Sequence, residues 1–332
     1  MQILVVTDAW LPQVNGVVRT LNTLRSELVA LGHDVRLLTP DLFTSLPCPS
    51  YPEIRLALPR AGAVDRLIDD IQPHAIHIAT EGPLGLIARG RCRRRGLPFT
   101  TSFHTRFPEY VQARWAVPLS LTYRWLRWFH SAGSCIMVST PTIEAALRAR
   151  GFAKIKRWSR GVDTALFRPR PKSFLGYPRP ISLYVGRVAV EKSIEDFLRL
   201  DLPGSKIVVG DGPQMDAMKR RYPATIFVGM KTGEELACYY AAADVFVFPS
   251  RTDTFGLVLL EAMASGVPVA AYPVPGPLDV VDGSGAGVLH DDLAEAVRRA
   301  TTIPADVCRA YAETFSWQNS ARQFLSNLHI MR

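Results

Sequence analysis

Short apolar runs and amphipathic segments alternate along almost the whole chain. Runs of four or five apolar residues, such as 3–6 and 245–248, are typical of strands buried on both faces of a parallel sheet. Between them, apolar residues recur three and four positions apart, as at Val18, Leu21 and Leu24, which predicts helices. The predicted strands are 3–6, 35–38, 76–79, 99–103, 135–139, 181–185, 206–209, 225–229, 245–248 and 267–271. The predicted helices are 17–31, 141–150, 193–200, 234–243, 257–264, 292–300 and a last one that starts at 315–317 and runs through 328.

This alternation of strands and helices predicts an α/β protein with doubly wound parallel sheets. The chain has 332 residues, which is long for a single core and favours two domains. Residues 158–174 lose the periodicity and accumulate proline, so we interpret them as the linker between the domains. We place the first domain at 1–165 and the second at 166–312, with 313–332 as a C-terminal segment.

Composition and motifs exclude several classes of protein. No apolar stretch approaches the roughly 18 residues of a membrane-spanning helix, and no signal peptide precedes the first strand, so we expect a cytoplasmic protein. The five cysteines form no C-x-x-C pair, which favours reduced thiols. His74 and His77 lie in an apolar run without a third ligand, which favours a strand over a metal site.

The stretch from Asp244 to Pro273 contains two predicted strands and the helix 257–264 between them. At a helix N-terminus, unpaired N–H groups and the macrodipole favour an anion, so a diphosphate can rest on the amides of Phe255, Gly256 and Leu257. A carboxylate beside a phosphate would be repelled. Asp253, before the helix, is therefore expected to accept a hydrogen bond from the transferred hexose, and Glu261, inside the helix, from the ribose on the other side of the diphosphate.

Both acids also have a plainer interpretation. Asp253 could simply cap the helix, because Asp is a favoured capping residue, and Glu261 could be a solvated helix residue. The neighbours of Glu261 are almost all apolar, so the helix is too apolar all round to be solvated, and a carboxylate there needs a partner.

The motif Asp253-x7-Glu261, with FGLVLLEAMASGVPV around it, strongly resembles the E-x7-E signature of retaining glycosyltransferases of family 4. The departure is aspartate at the first acid, which shortens the side chain by one carbon, about 1.5 Å. The resemblance covers nearly the whole chain. It implies the GT-B fold, in which two Rossmann-like domains face a central cleft: an acceptor-binding domain over 1–165, a nucleotide-sugar-binding domain over 166–312, and a C-terminal helix over 313–332 that crosses back.

The resemblance also assigns roles outside this stretch. It places Gly16 beside the donor diphosphate and His104 at the donor sugar, near the reacting carbon. His104 follows a predicted strand, where ligands of open α/β sheets gather. As a single residue, Gly16 could equally be a turn glycine. A lone histidine is more often structural, but the matching histidine of the resembled family favours a functional role for His104.

A loop with two cations follows the strand 181–185. Its sequence GRVAVEKS comes close to a phosphate-binding G-x-x-x-x-G-K-[ST], but Glu191 occupies the second glycine position and would repel phosphate. Arg187 and Lys192 are instead predicted to neutralise the departing diphosphate, and the family resemblance assigns them that task. Asp211 follows another strand in a turn like the family's, and Met230 is a candidate wall for the base.

The net charge of +9 lies entirely in the first half, since residues 1–165 hold 21 Lys and Arg against 12 Asp and Glu, while residues 166–332 hold 18 of each. This asymmetry indicates an anionic partner. Aromatic and basic residues interleave over 110–129 as in a helix that lies at a bilayer surface, although an ordinary amphipathic helix would explain them too. The predicted surface residues are Arg93, Arg94, Arg95, Arg114, Trp115, Arg124, Trp125, Arg127 and Trp128. Nucleic-acid binding is not expected, because no such motif accompanies them.

Together these features predict a retaining glycosyltransferase that moves a hexose from a UDP- or GDP-sugar to a hydroxyl acceptor. We expect neither a cofactor nor a metal, because no D-x-D element is placed to hold one. The favoured acceptor is a lipid at the cytoplasmic membrane face, on which the protein would be peripheral. The alternatives are a soluble or polymeric acceptor, a nucleotide-sugar epimerase of the same fold, and a non-enzymatic lipid- or nucleic-acid-binding module.

Overall fold

The computed structural model describes residues 1–13, 15–48 and 51–331, except for the side chains of 51–54, 61 and 113–115. The chain forms two compact units. Unit 1 consists of Met1–Arg160 and Trp317–Arg332, and unit 2 of Gly161–Ser316. The chain therefore enters unit 2 once and returns to unit 1 for its last helix.

Unit 1 is built around a six-stranded parallel sheet in the order β2-β1-β5-β6-β7-β8, with a separate antiparallel pair, β3-β4. Its strands are β1 (Gln2–Val6), β2 (Asp34–Leu38), β3 (Ser45–Cys48), β4 (Tyr51–Ala57), β5 (Ala75–Ile78), β6 (Thr100–Phe103), β7 (Ile136–Val138) and β8 (Ile155–Arg157). Its helices are α1 (Gly16–Ala30), α2 (Ala61–Ile71), α3 (Pro83–Arg95), α4 (Phe107–Trp115), α5 (Leu119–Ser131) and α6 (Pro141–Ala149), with a short 3₁₀ turn at Pro40–Leu42.

Unit 2 has a second six-stranded parallel sheet, in the order β11-β10-β9-β12-β13-β14. Its strands are β9 (Ile181–Val185), β10 (Ser205–Val209), β11 (Ile226–Gly229), β12 (Val245–Phe248), β13 (Val269–Ala271) and β14 (Gly287–Leu289). Its helices are α7 (Ile194–Leu198), α8 (Met215–Arg221), α9 (Gly233–Ala242), α10 (Leu257–Ala264), α11 (Pro277–Val280), α12 (Leu293–Ala300) and α13 (Ala305–Ala312), with 3₁₀ turns at Lys172–Phe174 and Val190–Lys192.

The apolar runs predicted as strands are buried on both faces of these sheets. In β9, Leu183 packs into one core cluster and its neighbour Tyr184 into the cluster on the opposite face, because successive side chains of a strand point to opposite sides. All four residues of β12 are buried. No helix among the described residues is both long and apolar enough to cross a bilayer.

The last helix, α14 (Trp317–Asn327), lies in unit 1 and packs on α1. Its Phe324 is fully buried and packs against Trp158 with the rings tilted, their centroids 4.9 Å apart. The Trp158 indole also donates a hydrogen bond to Ser320 Oγ at 3.0 Å. Trp158 was expected in the linker over 158–174. That segment is irregular, but Trp158 belongs to the core of unit 1 and Phe167 to the core of unit 2.

Several predicted elements differ from the structure. The aromatic segment 110–129 is not one helix, because Ala116 adopts a positive φ of 52° and Pro118 precedes the next helix. The strand expected at 267–271 begins at Val269, since Pro268 has no N–H for the sheet. The pair β3-β4 and helix α2 were not predicted.

In open α/β sheets, ligands bind outside the carboxyl ends of the strands, at the point where the strand order reverses. In unit 2 this point lies between the neighbouring strands β9 and β12. The loops that follow these two strands carry Arg187, Lys192 and Asp253. In unit 1 the order reverses between β1 and β5, whereas His104 follows β6.

Candidate active site

The loop after β9 is held by backbone contacts with the loop after β10. Val188 N donates to Asp211 O at 2.9 Å, and the Tyr184 hydroxyl, from the buried strand, donates to Arg187 O at 2.8 Å. A Cβ at Gly210 would lie 1.9 Å from Gly186 O, so only glycine allows the two loops to come this close. These contacts fix the backbone that carries Arg187 and Lys192. The Arg187 side chain is half-buried.

Lys192 and Asp253 form an ion pair across the reversal point. Lys192 Nζ lies 2.5 Å from Asp253 Oδ1, and both side chains are about one-fifth exposed, at 21% and 19%. The Thr252 hydroxyl reinforces the contact by donating to Glu191 O at 3.0 Å. The second carboxylate oxygen, Asp253 Oδ2, is buried and has no hydrogen-bond partner among the described residues. A buried carboxylate oxygen in this position is suited to accept from a ligand hydroxyl.

The start of α10 is not capped by any side chain. Its N-cap residue Gly256 has a φ of 83°, which a residue with a Cβ would adopt only under strain. By contrast, the start of α1 is occupied, because Asn15 Oδ1 accepts from Val17 N and Val18 N, both at 3.0 Å. A helix start without a side-chain cap retains its affinity for an anion. Of the two helix starts predicted to meet the diphosphate, α10 is therefore the better anion site.

Gly16 is exposed at the start of α1, and the space beside it is open, since a Cβ built there would have no atom within 4 Å. The glycine is compatible with close approach of a ligand, but the neighbouring amides are bonded to Asn15. Its proposed contact with the diphosphate stays a prediction.

The partner that Glu261 requires is the hydroxyl of Tyr240. Glu261 is only 4% exposed on α10, and Tyr240 Oη donates to Glu261 Oε2 at 3.0 Å. Tyr240 itself is fully buried. The interpretation of Glu261 as a solvated helix residue is therefore wrong. This hydrogen bond fixes the orientation of the carboxylate, and the contact with a ribose stays a prediction.

Two further predicted donor-site residues lie after strands of unit 2. Asp211 is exposed after β10, and its Oδ1 accepts from Gly212 N at 2.7 Å, which stabilises the turn. Met230 follows β11 and is 52% exposed, and its contact with the base stays a prediction. No three His, Cys, Asp or Glu side chains in the described part of the chain are grouped so that they could hold a metal ion.

In unit 1, His104 lies immediately after β6 and is half-buried. Its Nδ1 is 3.3 Å from Arg160 Nη2, and its ring meets the Trp158 indole edge-on, with centroids 5.6 Å apart. Burial, followed by the charge of Arg160 and the proximity of two other histidines, holds the pKa of His104 well below its ordinary value. The imidazole is therefore neutral at physiological pH.

Comparison with known proteins decides the family. Residues 14–166 match the model described as Glycosyltransferase Family 4, and residues 179–302 match the model described as Glycosyl transferases group 1. The GDP-mannose-dependent alpha-mannosyltransferase of Mycobacterium tuberculosis (strain CDC 1551 / Oshkosh) is 29% identical, over 87% of this chain and 83% of its own. The alpha-monoglucosyldiacylglycerol synthase of Streptococcus pneumoniae (strain ATCC BAA-255 / R6) is 26% identical, over 99% and 85%. The chain belongs to glycosyltransferase family 4.

The fold agrees with this family. The solved structure of sucrose-phosphate synthase from Thermosynechococcus elongatus matches the glycosyltransferase with a TM-score of 0.78 at 23% identity, over 98% of this chain and 97% of that one. The predicted fold class, two parallel-sheet α/β domains of the GT-B type, is confirmed, as is the prediction of a hexosyltransferase.

The predicted basic and aromatic surface of the glycosyltransferase is only partly exposed. Arg93, Arg94 and Arg95 are exposed, and Arg95 also forms ion pairs with Asp65 and Asp69. Trp125 is half-buried and packs against Phe129, with ring centroids 6.1 Å apart. Arg95 and Trp125 are thus held by neighbours within unit 1. The predictions for Arg114 and Trp115 concern side chains outside the described ones.

Three further exposed residues of the set lie on α5. Trp128 is 49% exposed, and its ring is covered on one side by the guanidinium of Arg89, 3.8 Å from the centroid. Arg124 and Arg127 are exposed, and they line two adjacent cavities of about 320 and 390 Å³. Arg150 lines the first cavity and Lys154 the second, whereas neither is lined by an Asp or Glu. This face therefore carries uncompensated positive charge.

Sequence reasoning missed Arg160, Tyr240 and Thr252 as residues of the site. Arg160 and Tyr240 pair with His104 and Glu261 from 56 and 21 residues away, and no local spacing signals such contacts. Arg160 falls in the segment 158–174, interpreted from the sequence as the linker. Its burial, with 5% exposure, is visible only in the structure, where a buried charged residue must find partners inside the fold.

Proposed function

We propose that this glycosyltransferase transfers a hexose, with retention of anomeric configuration, from a UDP- or GDP-sugar to a hydroxyl of a membrane lipid at the cytoplasmic face. The observation that carries the proposal is the ion pair between Lys192 and Asp253 beside the uncapped start of α10. A cation, a carboxylate and a helix start without a side-chain cap lie together at the reversal point of one sheet, and these groups are suited to a sugar diphosphate.

In this proposal the diphosphate rests on the amides at Phe255, Gly256 and Leu257. The Lys192 ammonium has three N–H donors, so it can keep its bond to Asp253 and also donate to phosphate oxygens. Arg187, on the same loop, adds a second cation. These charges stabilise the negative charge that develops on the leaving diphosphate, without a need for a metal.

The carboxylates bind the neutral parts of the donor. Asp253 Oδ2, which is buried and has no partner among the described residues, accepts from a hydroxyl of the hexose. Glu261, oriented by Tyr240, accepts from the ribose. The reaction then breaks the bond between the anomeric carbon and the diphosphate, while the acceptor oxygen attacks from the same face. A diphosphate oxygen takes the acceptor proton, and the products are a glycoside and a nucleoside diphosphate.

The lipid acceptor is supported by two observations. One relative is named an alpha-monoglucosyldiacylglycerol synthase, so a diacylglycerol-type hydroxyl is an acceptor found in this family. The exposed face of α5 carries Trp128 with Arg124 and Arg127, next to cavities without acidic residues. Such a face is suited to a bilayer interface that contains anionic lipids.

A donor panel tests the catalytic half of the proposal. The chain is incubated with UDP- and GDP-sugars, and its thermal midpoint is measured. A donor present at 100 times its Kd should stabilise the chain by about 2.7 kcal/mol. GDP-mannose is included first, because a relative is named for it. The donor that binds is then supplied with diacylglycerol vesicles, with and without EDTA, and the released nucleoside diphosphate is measured.

The outcomes separate the alternatives. Release of nucleoside diphosphate that requires the lipid and survives EDTA supports the proposal, and nuclear magnetic resonance of the anomeric proton reads retention directly. Conversion of the donor sugar without an acceptor would favour an epimerase. Turnover with a soluble glycan but not with the lipid would replace the acceptor, and stabilisation by no sugar nucleotide would overturn the transferase assignment of the site.

A further inference from the structure

Arg160 contacts His104 in unit 1, and several neighbours hold the Arg160 side chain in place. It is only 5% exposed, and its guanidinium stacks on the Trp158 ring at 4.1 Å. Arg160 Nη1 donates to Trp158 O at 2.7 Å and to Ser159 O at 3.1 Å. The other terminal nitrogen, Nη2, is 3.3 Å from His104 Nδ1.

This contact determines which nitrogen of His104 carries the proton. A guanidinium has only donors, so His104 Nδ1 must accept. In a neutral imidazole the proton is then on Nε2. The edge-on packing against Trp158 fixes the ring plane, and hence the direction in which the Nε2–H bond points.

We propose that Arg160 is a positioning residue that locks His104 in the Nε2–H tautomer, so that His104 donates a hydrogen bond to an oxygen of the donor sugar. The assignment of the sugar as the acceptor rests on the proposed function; the tautomer does not. Arg160, which lies in an irregular segment, would thus orient the predicted active-site residue His104 of unit 1. It also defines what His104 can do: it donates through Nε2 and cannot act there as a general base.

Two other buried histidines, His77 and His130, have different partners. The ring nitrogens of His130 meet the Thr101 hydroxyl at 2.9 Å and Glu81 Oε1 at 3.1 Å. The ring nitrogens of His77 meet the hydroxyls of Thr100 and Ser102, each at 2.9 Å. A hydroxyl can donate or accept, so these contacts leave the tautomer of His77 open. Among the described residues, His104 is the only histidine with a ring nitrogen in contact with an arginine side chain, which can only donate.

The arrangement also suits the chemistry. Donation from Arg160 to Nδ1 polarises the ring and strengthens the Nε2–H donor, because hydrogen bonds in a chain reinforce one another. The pKa of His104, which burial and Arg160 lower, keeps the ring neutral. Positive charge develops at the anomeric carbon as the diphosphate leaves. A neutral donor can bind a sugar hydroxyl there without adding a full positive charge beside that carbon.

The test reads the tautomer directly. The chain is labelled with ¹⁵N-histidine, and imidazole spectra are recorded near pH 7 without substrate; loss of a signal in His104→Gln assigns it. We expect His104 Nδ1 to be unprotonated and Nε2 to be protonated. A protonated Nδ1 would overturn the proposal, and this measurement needs neither donor nor acceptor, so its outcome is independent of the proposed function.

Variants then connect the tautomer to catalysis. Arg160→Met keeps a long side chain over Trp158 but cannot donate, so the His104 signals should shift toward a mixture of tautomers. The kcat should fall about tenfold to hundredfold, less than the ~10²–10³ that loss of a direct donor costs, while the donor KM stays within about threefold. Arg160→Lys retains a donor and should recover most of the kcat.

The matched control is Arg157→Met, since Arg157 is exposed on β8 and faces Glu144 at 3.6 Å. Both the spectrum and the kcat of this control should be unchanged. If Arg160→Met lowers kcat without altering the His104 signals, Arg160 is only structural and the proposal fails. If Arg160→Met does not fold, the spectrum of the unmodified chain still decides.

Discussion

Lys192 and Asp253 lie 61 residues apart in the chain, yet their side chains meet at 2.5 Å. The pair joins the loop after β9 to the loop after β12, beside the start of α10. Because Asp253 balances the charge of Lys192 before any donor binds, the ammonium is already oriented when a diphosphate arrives. A cation that needs no reorganisation during the reaction is worth more to a transition state than one that must be ordered.

The first prediction concerns the cation itself. Lys192→Ala should lower kcat by about 10²–10³, because it removes a charge aimed at the leaving diphosphate. The ion pair is partly exposed, so the free energy of unfolding should change by no more than about 1 kcal/mol. Steady-state kinetics and urea unfolding check both effects. Lys219→Ala, an exposed lysine on α8, is the control, and equal turnover in the two variants would contradict the proposed role.

The second prediction concerns the short acid. Asp253→Glu restores the family motif and lengthens the side chain by about 1.5 Å, which the pair can absorb because the long Lys192 side chain is flexible. We expect kcat to stay within about tenfold. Asp253→Asn keeps the size but removes the charge, and kcat should fall by about 10². A dead Asp253→Glu variant with normal thermal stability would show that the pocket is built for aspartate.

Local features of the fold and of the site could be predicted from the sequence. The apolar runs of β9 and β12 mark them as buried strands, and the Asp253-x7-Glu261 spacing is contained in one loop and one helix. The uncapped start of α10 follows from Gly256, because glycine offers no side chain to cap the helix and allows a positive φ.

Contacts between distant segments could not be predicted in the same way. The pair Lys192–Asp253 depends on β9 and β12 being neighbours in the sheet, although two strands separate them in the chain. The contact between Arg160 and His104 arises because Trp158 anchors an irregular segment in the core of unit 1. The prediction of a single helix over 110–129 failed for a local reason: it was based on the interleaved aromatic and basic residues and did not consider Pro118, which lies between the two helices.

The third prediction concerns membrane binding. Arg124→Gln with Arg127→Gln should weaken binding to vesicles that contain anionic lipid by about 2 kcal/mol, roughly 30-fold, at about 1 kcal/mol per basic residue near the surface. Vesicle sedimentation at low salt measures this. The binding of the unmodified chain should decrease as salt rises, because salt screens these charges.

The control variant for membrane binding loses the same number of positive charges, but in unit 2 instead of on α5. Arg220→Gln with Arg299→Gln removes two exposed arginines from unit 2 and should bind vesicles like the unmodified chain. Equal weakening in both double variants would mean that only the net charge matters. No binding of the unmodified chain at low salt would exclude the membrane-associated version of the proposed function.

The fourth prediction concerns stability at acid pH. His77 is buried between two hydroxyls, and burial, followed by the charge of Arg160 and by His130, lowers its pKa to about 3. In the unfolded chain the pKa is about 6.5, so between these values the unfolded state binds a proton that the folded state does not. The free energy of unfolding should therefore fall by ~1.4 kcal/mol per pH unit from this residue as the pH drops below about 6.5.

His77→Gln removes this titration while its amide can still bond to Thr100 and Ser102, so its stability should depend less steeply on pH. Urea unfolding at pH 7, 6 and 5 measures the difference, which should approach ~1.4 kcal/mol between pH 6 and 5. His104 is present in both chains, so its contribution to the pH dependence of the free energy of unfolding cancels in the difference. The exposed His329 provides the control His329→Gln, which should keep the slope of the unmodified chain. If His77→Gln keeps that slope as well, the ring of His77 is protonated inside the fold, and its contacts with the two hydroxyls must then be assigned differently.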